Sequence, residues 1–281
     1  MYVRPATIED ALDRLGAGAR LLAGGTDLMV GADEAGLRAD VVDISRLPEL
    51  RGISLGRGGW RIGGATTWVA IAGADLPPAF AALQAAAREV GSVQIQNRGT
   101  VAGNLCNASP AADGVPPLLA LDASVELVSH RGLRRLPLVS FLAGPRRTAL
   151  AAGEILSAVV CPAPPPQMRS AFLKLGARRY LVISIAMVAV ALDIEGETVR
   201  EARVAVGACS PVAMRVGAAE RRLVGLPARV GLGDALRAED FAALAPIDDL
   251  RASAGYRRAA ALTLTRRAAE LCLKGERGGA V

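Results

Sequence analysis

The sequence predicts an α+β fold in two parts, on three observations. Residues 1–52 alternate strand, helix and strand, the signature of a small α/β unit. Two segments made almost wholly of small residues, 23–28 and 100–113, each sit close to an apolar run in the N-terminal half. A proline run at 162–167, PAPPPQ, then blocks both helix and central strand, and beyond it the texture changes to long apolar strands and a helix. These set the expected boundaries: 1–166, with subunits of structure at about 1–52 and 53–166, and 167–276.

In chain order, Thr7 is a fair N-cap for a helix whose apolar positions Ile8, Ala11, Leu12 and Leu15 recur at the helical period, and Gly16 and Gly18 end it. Residues 19–23 read as a strand delivering the chain into the turn Gly24, Gly25, Thr26, Asp27. Residues 28–36 read as a short helix or loop, and 41–44 as the next strand, stopped by Pro48. Short strings separated by glycine from Gly52 onward suggest a hairpin. Thr67 caps a helix running to Ala74, and Pro77 and Pro78 open an alanine-rich helix ending near Gly91. Residues 123–129 form a strand paired by 131–138, and 154–161 form another. Past the prolines, 170–193 and 198–208 read as two long strands joined through Gly196 into an antiparallel hairpin. The remainder reads as helical. Its segment 252–274 carries Leu262, Ala269 and Leu273 on one side and Arg257, Arg258, Arg266 and Arg267 on a solvated or partner-facing side; residues 275–281 are expected to fray.

Composition removes several function classes. The 281 residues are long enough for a large core, and 52% hydrophobic with 3% aromatic content means that core is aliphatic. The net charge of +6 comes from scattered arginines without interleaved aromatics, which argues against nucleic-acid binding and for docking on an acidic partner. Cys106, Cys161, Cys209 and Cys272 are far apart, so neither a zinc site nor an iron–sulfur cluster is expected in this chain. His130, the one histidine, sits in what reads as a hairpin tip, which leaves no serine–histidine triad. No apolar targeting segment follows Met1, and the longest apolar run is too short to span a bilayer; the expectation is a cytoplasmic protein without membrane insertion.

The chemistry is expected in the two small-residue segments. Paired glycines at Gly24 and Gly25 let the chain turn tightly and leave several N–H groups pointing one way, a nest for a phosphate or pyrophosphate. An ordinary strand-to-helix turn has the same sequence. In the second segment Thr100, Asn104, Asn107 and Ser109 are short polar side chains that bond backbone in tight turns, Gly99 and Gly103 permit close approach, and Asp113 is an acceptor suited to a ribose or ribityl hydroxyl. A well-ordered Asx-rich loop without ligand fits this segment alone. Together the segments are better explained by one long phosphate-bearing ligand held between them. Neither is the GxGxxG fingerprint.

The strings LLAGGTDL, QIQNRGTVAGNLCNASPAAD, GEIL and SAFLKLGARR, in that order and spacing and with PIDDLRASAGYRRA near the end, closely resemble the FAD-binding (medium) subunit of the molybdenum hydroxylases, of the xanthine dehydrogenase and aerobic carbon monoxide dehydrogenase type. The resemblance implies a PCMH-type flavoprotein fold of two α/β subdomains clasping FAD, followed by an antiparallel sheet-and-helix domain. It implies that Ala23, Gly24, Gly25, Thr26, Asp27 and Leu28 cradle the pyrophosphate side of FAD, and that Thr100, Ala102, Gly103 and Asn104 form a second FAD segment with Asp113 nearby. Ile155 or Leu156 would offer backbone to the flavin, and Lys174 would approach its ring, where an ammonium stabilises negative charge on a reduced flavin. Lys174 also fits a surface lysine at a strand edge. Two positions depart from the family pattern. Ala102 stands where a glycine is frequent, which implies a negative φ or a looser approach. Val182 stands where relatives carry an acid, which leaves NAD, a quinone or oxygen open as acceptor. The implied activity is electron transfer within an oxidoreductase. Partners would be a molybdopterin-binding large subunit and a small subunit with 2Fe–2S clusters, assembled as a dimer of heterotrimers. The alternative is a stand-alone flavin oxidase of the wider PCMH superfamily.

Overall fold

The structure is a computed structural model and describes residues 1–30, 39–275 and 278–280. The N-terminal unit opens with β1 (Tyr2–Val3), α1 (Ile8–Gly16), β2 (Arg20–Leu22) and β3 (Val41–Asp43). Thr7 caps α1 as expected, its side chain accepting from the Asp10 N–H at 3.1 Å. The strands form a parallel three-stranded sheet in the order β1-β3-β2. Parallel strands need a crossover connection, and α1 carries the chain from β1 to β2, which lie on either side of β3. Ala11 and Leu12 of α1 bury against Val42, Ile44 and Leu50. The helix or loop expected over 28–36 lies largely outside the described residues.

A five-stranded antiparallel sheet follows. Its strands are β4 (Ile53–Gly56), β5 (Gly59–Gly63), β6 (Ser124–Ser129), β7 (Gly132–Pro137) and, after the short elements α7 (Leu138–Phe141), β8 (Leu142–Gly144) and β9 (Arg147–Thr148), β10 (Ile155–Cys161); the order is β4-β5-β10-β6-β7. Between β5 and β6 the chain runs through α2 (Trp68–Gly73), α3 (Ala81–Glu89), α4 (Val93–Arg98), α5 (Val101–Asn107) and α6 (Val115–Ala120). Much of the segment expected as a loop over 100–113 is therefore helical. Thr100 is the reason: its hydroxyl accepts from the Gly103 N–H at 3.1 Å and starts α5, so small residues here serve close packing.

The C-terminal part is a second five-stranded sheet of β11 (Arg169–Leu175), β12 (Ala186–Glu195), β13 (Thr198–Gly207) and β14 (Met214–Arg215), completed later in the chain by β15 (Gly278–Ala280). Its order is β14-β13-β12-β11-β15. The run 170–193, expected as one strand, is two strands joined by residues 176–185. Gly176 and the exposed Arg178 and Arg179 interrupt the apolar run. Along β12, Met187, Ala189 and Ala191 face the core shared with α3 and α6, while Val188, Val190 and Leu192 face the other core. A central strand covered on both faces reads as one continuous apolar run.

The second core is closed by α8 (Gly217–Leu223) and α9 (Ala254–Lys274). The buried stripe of α9 is Ala260, Ala261, Leu264, Thr265, Ala268, Ala269 and Cys272, leaving Leu262 and Leu273 at its margins. Arg257, expected on a solvated side, is 3% exposed. Its two terminal nitrogens donate to the Ile185 and Ala208 carbonyls at 2.7 and 3.2 Å and to Asp249 at 2.6 Å, which compensates the buried charge, while its Nε is buried without a partner. The tail expected to fray instead contributes β15, which pairs in parallel with Phe172, Leu173 and Lys174 of β11.

Candidate functional site

A cavity of about 490 Å³ opens where the N-terminal unit meets the start of α5 and the first residues of β10. Ala23, Gly24, Gly25, Thr26, Asp27 and Leu28 line it from one side, and Thr100, Ala102, Gly103 and Asn104 from the other, with Ile155 and Leu156 at its floor. The two segments touch through backbone. A Cβ on Gly24 would overlap the Arg98 carbonyl, and one on Gly99 would come within 3.3 Å of the Trp68 ring. Side chains also bridge the mouth: the Asn107 amide donates to Asp27 at 3.1 Å and Arg146 stands 3.5 Å from the same carboxylate.

The donors available to a ligand differ between the two sides. In α5 the Val101 and Ala102 N–H groups bond the Thr66 and Gly64 carbonyls, both at 3.0 Å, and the Gly103 N–H is capped by Thr100. In the Gly24 turn, the N–H groups of residues 24–28 have no bonded acceptor among the described residues, although Gly25 (φ +76°) sets the turn geometry. The donors without an acceptor are thus on the first segment. Ala102 sits in a helical turn with negative φ, its methyl directed at Gly64 rather than at a ligand.

β5 ends opposite Ala158, and its next residue, Gly64, takes up the Ser157 carbonyl at 2.7 Å; Ile155 and Leu156 lie beyond that pairing, where β10 borders the cavity. Trp68, Val90, Ile95, Ile44, Leu150 and Cys106 complete the wall and were not foreseen. Trp68 had a signal: it is one of two tryptophans in a chain with 3% aromatics, and it follows a helix cap.

Asp113 and Lys174 do not line the cavity. They pair with each other, Nζ to Oδ2 2.6 Å, at 7% and 2% exposure. The other Asp113 oxygen accepts from the Ser184 hydroxyl at 2.6 Å, so neither carboxylate oxygen is open to a ribityl or ribose hydroxyl as the sequence suggested. Burial pushes the Asp113 carboxyl up, and the Lys174 ammonium and the Ser184 hydroxyl pull it back. Lys174 is no surface lysine: its Nζ also donates to the Glu89 carbonyl at 3.2 Å.

Residues 1–164 match the family described as the FAD binding domain in molybdopterin dehydrogenase, and residues 171–271 match the CO dehydrogenase flavoprotein C-terminal domain. The chain belongs to the FAD-binding subunits of the molybdenum hydroxylases. It is 35% identical over 276 residues to the xanthine dehydrogenase FAD-binding subunit of Escherichia coli O157:H7, covering 95% of this chain and 93% of that one. It is likewise 35% identical over 245 residues to the nicotinate dehydrogenase FAD-subunit of Eubacterium barkeri, 80% of each chain. Among solved structures it superposes on a chain of carbon monoxide dehydrogenase from Hydrogenophaga pseudoflava with a TM-score of 0.87 at 29% identity, covering 98% and 97%. The fold class and the oxidoreductase assignment expected from sequence are thereby borne out.

The cavity fits the cofactor of this family. Its N–H groups at residues 24–28, without a bonded acceptor among the described residues, suit a pyrophosphate, and glycines occupy the places where a Cβ would collide with backbone. Asn104 Oδ1 is buried with no hydrogen-bond partner, an acceptor left for a donor from a ligand.

Proposed function

We propose that this chain holds FAD in the cavity and passes electrons through it, taking them from iron–sulfur clusters of a partner subunit and delivering them to an external acceptor. The backbone N–H groups of residues 24–28 hold the pyrophosphate. The Asp27 carboxylate, turned toward Asn107 and Arg146, keeps the two segments closed over it. Asn104 supplies an acceptor, and Ile155 and Leu156 supply wall and backbone to the flavin. The apolar lining from Trp68, Val90 and Ile95 excludes water. Bound FAD supplies the redox chemistry by accepting and releasing electrons; no side chain on the cavity wall is needed as acid or base toward an organic substrate.

The single observation that carries this reading is the row of N–H groups without a bonded acceptor among the described residues, in one cavity with an unpartnered buried Asn104 acceptor. The partners are a molybdopterin-binding large subunit and a small subunit with 2Fe–2S clusters, in a dimer of heterotrimers in the cytoplasm. The proline run at 162–167 divides the FAD-binding part from the second sheet. Relatives named for xanthine, nicotinate and carbon monoxide share this scaffold, which supports placing substrate choice on another subunit. No described helix is long and apolar enough to cross a membrane.

The test is titration of the purified chain with FAD. Near-stoichiometric uptake, with quenched flavin fluorescence and co-purification of two further polypeptides, is the expected result. A chain that takes up no FAD overturns the reading. A flavin that stays with the denatured polypeptide on a gel points to the stand-alone oxidase.

A further inference from the structure

Trp68 belongs to the apolar wall of the cavity through its carbons, but its indole nitrogen is polar. The residue is 1% exposed and lines the cavity. Its backbone N–H is committed to the Gly99 carbonyl at 3.1 Å. The indole N–H has no bonded acceptor among the described residues. A buried indole N–H ordinarily finds a partner, so one without a partner calls for an explanation. Phenylalanine would fill the same place without leaving a donor unmet. The chain has four phenylalanines and two tryptophans, and the other tryptophan, Trp60, packs edge-on against Phe80.

Two glycines fix where that nitrogen lies. A Cβ on Gly99 would come within 3.3 Å of Trp68 Cδ1 and 3.5 Å of Thr26 Oγ1. A Cβ on Gly114 would stand 3.0 Å from Trp68 Cζ2 and 3.1 Å from Asn104 Oδ1. In an indole, Nε1 is bonded to Cδ1 and lies on the ring edge that joins Cδ1 to Cζ2. The donor is therefore on the stretch of wall that runs from Thr26 to Asn104. A ring wedged between two bare backbone segments cannot swing to another acceptor, so it is preorganised for a ligand. Helix α5 supplies the counterpart. Thr100, Asn104 and Asn107 recur on it at the helical spacing and all three line the cavity. The Thr100 hydroxyl caps the Gly103 N–H, and Asn107 bonds Asp27 and Arg146. Asn104, between them, keeps a buried Oδ1 without a partner. One donor and one acceptor are thus left beside each other, next to the N–H groups of residues 24–28.

We propose that Trp68 is a cofactor-binding residue: its indole N–H donates to a ribityl hydroxyl of FAD, on the same chain of hydroxyls from which Asn104 accepts. The inference rests on the reading that FAD occupies the cavity. A hydroxyl accepts from one neighbour and donates to another, so a chain of hydroxyls meets both unpartnered groups at once. In FAD, hydroxyls follow the pyrophosphate on both sides, along the ribityl chain toward the flavin and on the ribose toward adenine. The wall that Trp68 shares with Val90 and Ile95, above Ile155 and Leu156, is apolar and suits the flavin ring, which puts the ribityl chain at Trp68.

The experiment uses the full chain with FAD, with FAD analogues each lacking one ribityl hydroxyl, and with the analogue lacking the ribose 2′ hydroxyl. By fluorescence titration, one deoxyribityl analogue binds the wild-type chain about fivefold more weakly than FAD, the worth of one neutral hydrogen bond, whereas Trp68→Phe binds that analogue and FAD equally. In the isotope-labelled protein the two tryptophans give two indole N–H signals, assigned with Trp60→Phe. FAD slows exchange of the Trp68 N–H with water, and the same deoxyribityl analogue restores it. A ring that only fills space would weaken Trp68→Phe toward every ligand by one common factor, and that result overturns the proposal. A discrimination lost only for the ribose analogue places Trp68 at the adenosine end and overturns the ribityl assignment. If Trp68→Phe does not fold, exchange in the wild-type chain decides: a Trp68 N–H indifferent to FAD, or protected equally by every analogue, overturns it. A wild-type chain that takes up no FAD overturns the functional reading itself; FAD bound without response from Trp68 overturns this inference alone.

Discussion

Gly24 packs on the carbonyl group of Arg98 so closely that a Cβ built on it would stand 2.7 Å from the Arg98 carbonyl carbon. Two segments more than seventy residues apart in sequence thus close against each other through bare backbone, and the cavity exists because they do. Gly24→Ala forces them apart, since the clashing atoms are backbone and cannot rotate away. Overpacking of this kind costs about 1–3 kcal/mol. The expected outcome is a loss of FAD affinity of at least about tenfold, following from that cost, with a lowered melting temperature of the flavin-free chain. Fluorescence titration checks it. Affinity equal to wild type would show that the segments have slack.

The cavity was legible because small residues leave few alternatives. Ser109 lies off it, and the residues that the resemblance assigned to the cofactor all line it except Asp113 and Lys174. Those two were identified as polar residues worth notice, but sequence carries no information about which charges meet across a domain boundary, and each was assigned to the ligand when its partner was the other. The break at 176–185 was missed for a similar reason. A run buried on both faces has no period, so apolarity alone did not show where β11 stops. Helix α5 was hidden by composition: glycine and asparagine argue for a loop, and the Thr100 cap together with tertiary packing overrides them. Arg257 looked like one more solvated arginine because its acceptors, the Ile185 and Ala208 carbonyls and Asp249, come from other parts of the chain.

Acid stability follows from carboxylates held by arginine and backbone. Hydrogen bonds from Arg134 hold Glu154 below its ordinary range, helped by the Ala151 N–H, and the Arg251 N–H together with Arg257 does the same for Asp249. In the unfolded chain both return to about 4. As pH falls below that value, the unfolded chain takes up protons the folded chain refuses, so stability is full above it and declines through the lower folded values. Asp113, raised by burial, has the opposite sign and offsets part of the decline. Urea unfolding at a series of pH values should show stability falling between about pH 5 and 3, with a shallower slope in Glu154→Gln. An equal slope in that variant would remove Glu154 from the account.

The strand β15 depends on one glycine. Gly278 has φ +81°, and a Cβ there would overlap the carbonyl of Phe172 on β11. Gly278→Val should detach the strand and expose the β11 edge at Phe172, Leu173 and Lys174, at a cost of about 1–2 kcal/mol. Hydrogen exchange read by mass spectrometry should show faster exchange over that segment with α9 unchanged. Unaltered protection of the edge would mean that β15 contributes nothing to holding it.

Cys106 lines the cavity, and a thiol beside a redox cofactor invites a catalytic reading. Its surroundings argue otherwise. It is half-buried on α5, and burial pushes its thiol up to about 12, as it does for Cys161, Cys209 and Cys272. The thiolate is the reactive species, and with such a value only about one thiol in ten thousand is ionised at pH 8. Arg257 and Arg258 pull Cys209 back slightly, without cancelling the effect of burial. In the folded chain none of the four should react with a disulfide reagent at that pH on the timescale of minutes, with or without FAD; in denaturant all four should react at once. Rapid labelling of Cys106 alone in the native protein would show that the cavity wall opens at α5, and that this thiol is available for chemistry the static geometry denies it.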